Sequence, residues 1–471
     1  MKDRLRRRLG FQKHTPYYEL LETLTEHDGC PVCHMARRGV DRYFGMMSYE
    51  NVTDVSTRDE LRAAWGMCNF HAWQFLGRGG ERLATAIIYR DLVETALRRL
   101  EGNGGGLVRE LAPQGECLAC RYLAESSRRH VDTLLAYLGD DQLRERYEAS
   151  RGLCLPHLRE ALGRMDGLDQ RAVLLAVFSR QIAAFAASVA DAADAADAPI
   201  AGLVAGLAGS HGTALGTNPP PEQPADLPAA PRPTLAALRE ALAEGACPIC
   251  RGITAATDGY LASLPSAVGD DPGLSADLAE ARGLCNNHSW RLIAIAGKDR
   301  LADIWRPPLA ALRQSLDLLG EADDRGPQGP LGLLLGPRRA RQAGAAVEAA
   351  LAPRAPCPAC RYQAGVERVW VEALLEALRE EAFAAEYGRS PGLCLPHLRS
   401  ALALAAERSQ VAALVFCQAE AFRGLSADLA EYVRKFDYRF SREPMGGEVD
   451  SPERGLTAMV GLPGTWGLER T

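Results

Sequence analysis

Gly29-Cys30-Pro31-Val32-Cys33, answered by Gly66-Met67-Cys68-Asn69-Phe70-His71, is the stretch from which the rest of the chain can be read. The same two signatures return at Cys117-Leu118-Ala119-Cys120 with Gly152-Leu153-Cys154-Leu155-Pro156-His157. They return again at Cys247-Pro248-Ile249-Cys250 with Gly283-Leu284-Cys285-Asn286-Asn287-His288, and at Cys357-Pro358-Ala359-Cys360 with Gly392-Leu393-Cys394-Leu395-Pro396-His397. Between the second and third cysteines lie 34, 33, 34 and 33 residues, and twelve of thirteen cysteines fall into these four sets of three Cys and one His. Ordinary core packing scatters cysteines. A tetrahedral metal instead takes four soft or borderline donors, delivered as two close pairs.

The spacing has a local physical meaning. A CxxC turn puts two thiolates on one side of a tight bend, and proline after the first cysteine presets the backbone and removes an amide that would need a partner. In Gly-x-Cys-x-x-His the glycine permits an unusual turn before a helix begins, and Cys and His three apart share one face of its first turn. The helix N-terminus favours thiolate over thiol. Two closures are open: each CxxC with the CxxH that follows it, or a cross-brace between neighbouring units. The span inside a unit stays at 33 or 34, while that from one unit to the next changes from 45 to 68. This favours closure within units, giving Cys30, Cys33, Cys68, His71; Cys117, Cys120, Cys154, His157; Cys247, Cys250, Cys285, His288; and Cys357, Cys360, Cys394, His397. Zinc, about four per chain, is the first expectation. Iron-sulfur clusters are the alternative, and metal-free dithiols in redox exchange the third reading. Cys30-Pro31-Val32-Cys33-His34 also spells a c-type haem attachment string, but the other units carry Arg121, Arg251 or Arg361 where His34 stands.

At 471 residues and 47% hydrophobic content the chain can bury more than one core. A net charge of −6 argues against a polyanion-binding surface over the whole chain. The first twenty residues are basic (Lys2, Arg4, Arg6, Arg7, Arg8) without a signal-peptide core, and no run reaches the roughly 18 uncharged apolar residues of a membrane span. Paired cysteines without an export signal point to the cytoplasm.

The order of the units is A, B, A′, B′. An offset of 217 aligns Asp41, Tyr43, Leu61, Asn69 and Trp73 with Asp258, Tyr260, Leu278, Asn286 and Trp290. An offset of 240 aligns Arg121, Tyr122, Val131, Leu134 and Tyr147 with Arg361, Tyr362, Val371, Leu374 and Tyr387. Between signatures the apolar period is helical, as in Leu83, Ile87, Ile88, Leu92, Ala96, Leu97 and Leu100, and strand alternation of useful length is absent. The fold class expected is all-α: a metal-binding helical half over 1–190, a linker over 191–233, a second half over 234–445 and an irregular tail over 446–471. Composition suggests the linker, which includes Asn218-Pro219-Pro220-Pro221, and a surface loop over 325–345 with Arg338, Arg339 and Arg341. Tyr438, Phe440 and Trp466 are apolar enough to dock the tail on the second half. Cys417, next to an apolar run, reads as a buried structural thiol.

No Gly-rich phosphate loop, HExxH or nucleophile elbow occurs, and sites filled by four protein donors leave no position for substrate, so no catalytic residue is assigned and the reading leans away from an enzyme. His14, His27, His130 and His211 lie outside the units and read as surface or core residues, and Trp73 and Trp290 as packing for the site helices. The residues resemble an uncharacterised bacterial family, a domain of unknown function in which CPxC, GxCxxH, CxxC and GxCLPH follow one another along a shorter helical protein. Lys435-Phe436-Asp437-Tyr438-Arg439 with Glu443-Pro444 also resembles that family's C-terminus. The resemblance implies cytoplasmic bacterial proteins that bind metal and carry no assigned activity. The function expected is a non-enzymatic structural-zinc scaffold for protein interaction or regulation. An iron-sulfur electron-transfer or thiol-redox sensor and a nucleic-acid-associated zinc protein are the alternatives, and protein is the first-choice partner.

Overall fold

A computed structural model describes residues 13–102, 106–191, 200–213, 230–296, 301–323, 336–440 and 442–466, and shows no strand among them. The first half contributes α1 (Thr15–Glu26), α2 (Pro31–Met46), a π-helical turn (Met47–Asn51), α3 (Val55–Ala64), α4 (Asn69–Leu76) and α5 (Arg82–Glu101). It continues with α6 (Leu107–Glu110), α7 (Leu118–Tyr137), α8 (Asp141–Ala149), α9 (Leu155–Arg164), α10 (Leu168–Asp191) and α11 (Ile200–Ala208). The second half repeats this order as α12 (Leu235–Ala243), α13 (Pro248–Ala267), α14 (Pro272–Glu280), α15 (Asn286–Ile295), a 3-10 turn (Leu301–Trp305) and α16 (Arg306–Asp323). Then follow α17 (Gly336–Leu351), α18 (Pro358–Ala377), α19 (Glu381–Tyr387), α20 (Leu395–Leu404), α21 (Arg408–Lys435) and α22 (Ser451–Val460).

Each half is built on an antiparallel helix pair. In the first, Tyr43 of α2 stacks on Tyr122 of α7 at 5.1 Å and Gly39 faces Ser126, so the register runs in opposite senses. In the second, Tyr260 of α13 stacks on Tyr362 of α18 at 4.4 Å and Gly252 faces Trp370. These four tyrosines are the ones that recur at offsets of 217 and 240. Because α2 starts at one CxxC and α7 at the other, the two CxxC turns stand at opposite ends of the rod. From Pro31 to Phe44 the helical rise is about 20 Å.

The halves do not stand apart. Helix α5 packs on α21 and α22, and α16 on α10; α4 meets α22, and α15 meets α11; α6 meets α20, and α17 meets α9. Every one of these contacts joins one half to the other, and apart from that of α5 with α22 each has its counterpart at the opposite end. Two hydrophobic cores result. One combines Phe44, Tyr89, Leu92 and Leu123 with Leu374, Leu414, Leu429 and Met459; the other combines Tyr17, Leu134, Phe178 and Ile182 with Leu261, Trp305, Leu312 and Val347.

Three expectations are corrected here. Within 191–233, residues 200–208 form α11, whose Leu203, Val204 and Leu207 are buried, so this part is core rather than linker. Within the tail 446–471, residues 451–460 form α22, which packs on α4 and α5 of the first half, not only on the second. Within the expected loop 325–345, residues 336–345 belong to α17. In the tail, Trp466 is buried against His397, Phe440 lies under Arg434, and Tyr438 is exposed. The arginines at 4–8, the run 218–221 and the side chain of Arg339 lie outside the described residues. One helix, α10, is long and apolar enough to cross a membrane by length and composition alone, although Asp169, Arg171 and Arg180 interrupt its apolar run. Its Leu174, Val177, Phe178, Ile182 and Phe185 are buried in the second core.

The rods differ in how one rung is filled. A Cβ on Gly252 would lie 2.2 Å from the Trp370 ring, and the corresponding first-half residues by offset are Met35 and His130. Gly252→Met is therefore expected to overpack the α13–α18 rung and lower stability by about 1–3 kcal/mol. Adding Trp370→His should recover most of the loss. Denaturant unfolding of the two single variants and the double variant gives the coupling, and strictly additive losses would contradict this packing account.

Candidate metal centres

Each CxxC and each CxxH opens a helix. Cys30, Cys68, Cys117, Cys154, Cys247, Cys285, Cys357 and Cys394 are all N-caps, and the second donor of each pair sits three residues on, in the first turn. The glycine before each CxxH takes the left-handed conformation expected of it: φ is 96° at Gly66, 75° at Gly152, 104° at Gly283 and 76° at Gly392. A Cβ at Gly152 would lie 2.5 Å from Val177 of α10, so the site turn and that helix touch directly.

All sixteen residues named from the sequence are brought together in fours, but not in the fours favoured there. The sets are Cys30, Cys33, Cys154 and His157; Cys68, His71, Cys117 and Cys120; Cys247, Cys250, Cys394 and His397; and Cys285, His288, Cys357 and Cys360. In each half the first CxxC joins the last CxxH as an outer set, and the signatures between them close an inner set. The antiparallel rod is the reason: it carries the two CxxC turns to opposite ends, and the 33 or 34 residues inside a unit measure the reach from one end to the other. The loop closed by the inner set is the one that varies, 45 residues in one half and 68 in the other. Helices anchored by packing deliver its ligands, so the length between them is free to change.

Within a set the donor atoms all lie within 4.8 Å of one another. In the first outer set Cys33 Sγ is 3.6 Å from Cys154 Sγ and 3.3 Å from His157 Nδ1, and Cys154 Sγ is 3.2 Å from the same nitrogen. The first inner set has Cys68 Sγ at 3.6 Å from Cys120 Sγ, with His71 Nδ1 at 3.4, 3.7 and 3.3 Å from Cys68, Cys117 and Cys120. The second half repeats these values, with 3.6 Å for Cys250 to Cys394 and for Cys285 to Cys360. All thirteen cysteines are free thiols, and the ligand residues are buried except Cys360, which is half-buried.

Crowding sorts the protons. Burial works to raise every shifted thiol, yet hydrogen bonds from neighbouring cysteines and the adjacent imidazole hold Cys33, Cys117, Cys247 and Cys357 well below the usual thiol range. Burial pushes Cys154 and Cys394 up, and hydrogen bonding to a neighbouring cysteine does so for Cys68 and Cys285. Burial would lower His157 and His397, but the thiolates beside them outweigh it and raise both. Each set thus combines thiolate with retained protons that a divalent cation would displace. Cys417 stands apart, buried, donating to Tyr387 O at 3.0 Å, its thiol pushed up to about 11 by burial.

With Nδ1 turned inward, the partner of Nε2 differs from set to set. His288 Nε2 lies 2.9 Å from Gln363 Oε1 and His157 Nε2 lies 3.3 Å from Ser127 Oγ, whereas His397 Nε2 makes no hydrogen bond, with Glu367 Oε1 3.8 Å away. His71 Nε2 is buried without a hydrogen-bond partner, and Leu123 occupies the position that Gln363 holds in the other half.

The sequence reading paired Asn69 with Asn286 and Trp73 with Trp290 but missed their role. Asn69 donates to the carbonyls of Val460, Gly461 and Leu462, and Trp73 to Gly461 O. Asn286 donates to Ala208, Gly209 and Ser210, and Trp290 to Gly209 O. Each inner-site helix therefore grips the end of the other half's last helix. The signal was present as Gly209-x-x-Gly212-Thr213, repeated at Gly461-x-x-Gly464-Thr465. The two junctions differ in filling. That between the first inner and second outer sets keeps a cavity of about 150 Å³, lined by Trp65, Met67, Glu367, Arg399, Met459 and Trp466. Its counterpart, around Arg282 and Arg159, has about 20 Å³.

A family described as "Family of unknown function (DUF6062)" matches residues 354–463. An uncharacterised 23.9 kDa protein in the xynA 3′ region of Caldicellulosiruptor sp. (strain Rt8B.4) is 31% identical over 170 residues, which is 35% of this chain and 79% of that protein. No solved structure matches. On the strength of that relative and of the match at 354–463, the chain belongs to the family of unknown function DUF6062.

Proposed function

We propose that this is a non-enzymatic zinc protein in which four Cys3His sites fasten the ends of two helical rods and hold up a scaffold for protein interaction. The observation that carries the reading is the size of the ligand sets. Zinc–sulfur bonds of about 2.3 Å imply tetrahedral S–S edges of about 3.8 Å, close to the 3.6 Å found in all four sets. Donors this close enclose one ion. An iron-sulfur cluster, whose cysteines bind separate irons, needs a wider cage, so the geometry favours a mononuclear site over the electron-transfer alternative. Four protein donors per site leave no position for water or substrate, which supports a structural role. Free cysteines in close pairs support a reducing, cytoplasmic setting. Apolar side chains for a protein partner stand exposed around the π-helical turn at Met46, Tyr49 and Val55.

Protein purified without added metal is expected to carry about four zinc per chain by elemental analysis and to be colourless. Chelation should abolish cooperative unfolding, since structural zinc contributes about 10–16 kcal/mol per site in zinc-finger peptides. Full helicity with an unchanged melting temperature after metal removal would overturn the structural role. Acid should act in the same direction, because protons compete with the ion for thiolate and imidazole.

The four sites should not release metal together. Loss of a partner to the outer nitrogen of a ligating histidine typically weakens binding 10–100-fold. The sets of His71 and His397, whose Nε2 atoms make no hydrogen bond, are expected to empty before those of His157 and His288 in a chelator titration followed by native mass spectrometry. Leu123→Gln should delay release from the His71 set. Release of all four ions in one step in both proteins would contradict this.

A further inference from the structure

In an isolated half, two apolar surfaces would have nothing to cover them. Helix α5 is tied to the inner end of its rod, where Gly66 packs against Leu92 and Tyr89. Helix α10 is tied to the outer end: Gln170 donates to Leu135 O at 2.7 Å, and Arg180 donates to Glu148 O and Ser150 O at 2.6 and 3.0 Å. The same anchors recur in the second half, where Gln410 donates to Leu375 O at 2.7 Å and Gly283 packs against Trp305. About 20 Å of rod separates the two ends, so α5 and α10 of one half cannot cover each other. Both faces are nonetheless buried, because α5 receives α21 and α16 receives α10.

The polar contacts follow the same exchange. Arg423 pairs with Glu101 at 3.0 Å, Ser426 donates to Glu94 at 3.2 Å, and Arg82 reaches Glu453 and Tyr432, all from one half to the other. At the opposite end Arg306 donates to Val189 O at 3.0 Å and Arg159 pairs with Glu348 at 2.6 Å. The grip of Asn69 and Asn286 on each other's chain ends completes the set. A surface that is matched reciprocally by its own duplicate is the isologous interface of a twofold dimer. The 23.9 kDa relative has the mass of about one half of this 50.8 kDa chain.

We propose that the chain is a dimer joined into one polypeptide: each half is a subunit whose end surfaces fit a second copy of the same fold, and the peptide connection between halves is dispensable for assembly. The inference rests on the exchanged helices and not on the identity of the metal. To test it, a protease site is inserted between residues 214 and 229 of the full-length, metal-loaded protein, which is then cut to completion. The cut protein should run as one species at the mass of the uncut chain, keep its metal, and show a melting temperature that falls on dilution while that of the uncut chain does not. Two folded species of about half mass, a melting temperature of the cut protein insensitive to dilution, or aggregation specific to the cut protein would each overturn it. A charge reversal keeps the interface itself in view. Arg423→Glu should make the cut protein dissociate at higher concentration, and Glu101→Arg in the same chain should restore it. Equal dissociation of all three cut proteins would assign the cohesion elsewhere.

Discussion

The rest of the structure depends on one constraint: each cysteine and histidine pair opens a helix, and the helices it opens cannot bend. Cys30 and Cys33 start α2 and Cys117 and Cys120 start α7; once these two lie antiparallel, their ligand pairs are held at opposite ends of a rod. Each pair must then find its complement among the chain segments that reach its own end. The nested ligand sets follow from this, and so does the positive electrostatic setting of every site. Two helix N-termini converge on each group of donors, which stabilises the thiolate charge that burial opposes.

The same rigidity explains why the halves interlock. A rod with a helix tied at each end offers two apolar surfaces that point away from each other, and neither can fold back across the rod. Burying a Leu or Phe side chain contributes about 1.5–3 kcal/mol. Leaving Tyr89, Leu92, Phe178 and Ile182 in water would remove much of the net stability of a domain this size. Laying a second rod alongside in the opposite sense covers both ends at once. Each core thereby holds the inner set of one half and the outer set of the other, with Cys68 and Cys250 in one and Cys33 and Cys285 in the other.

Much of this was legible in the sequence. Helical periodicity, the sixteen ligand residues, the left-handed glycines and the duplication all rest on local pattern, and local pattern is what the residues around Gly66 or Cys357 determine. The pairing of ligands was not legible, because the 33 or 34 residue span was read as the tolerance of one site when it is the length of a rod. Asn69 reads from sequence as a repeat without a role, and Trp73 only as packing for its site helix. Their acceptors are backbone carbonyls nearly four hundred residues away, which no spacing argument reaches. The irregular reading of 446–471 failed for a related reason: α22 is short, and its Leu456 and Met459 are stabilised by burial against another half rather than by propensity.

The two copies have diverged in compensated ways, and the compensation shows which contacts are constrained. Beside the outer histidines, Ser127 and Glu160 in one half correspond to Glu367 and Ser400 in the other, so a carboxylate and a hydroxyl have changed places across the same helix pair. Ser400 donates to Glu367 at 3.4 Å, and burial raises the carboxyl of Glu160, as expected of groups kept within one desolvated rung. Met35 with His130 against Gly252 with Trp370 trades volume in the same manner. No such exchange touches the ligands or the glycines that precede CxxH, where a change in one partner has no single substitution that answers it. Side chains inside the rods therefore had a route to drift in pairs. The helix starts that hold the four ligand sets did not, because each one serves its site, its turn and the neighbouring half together.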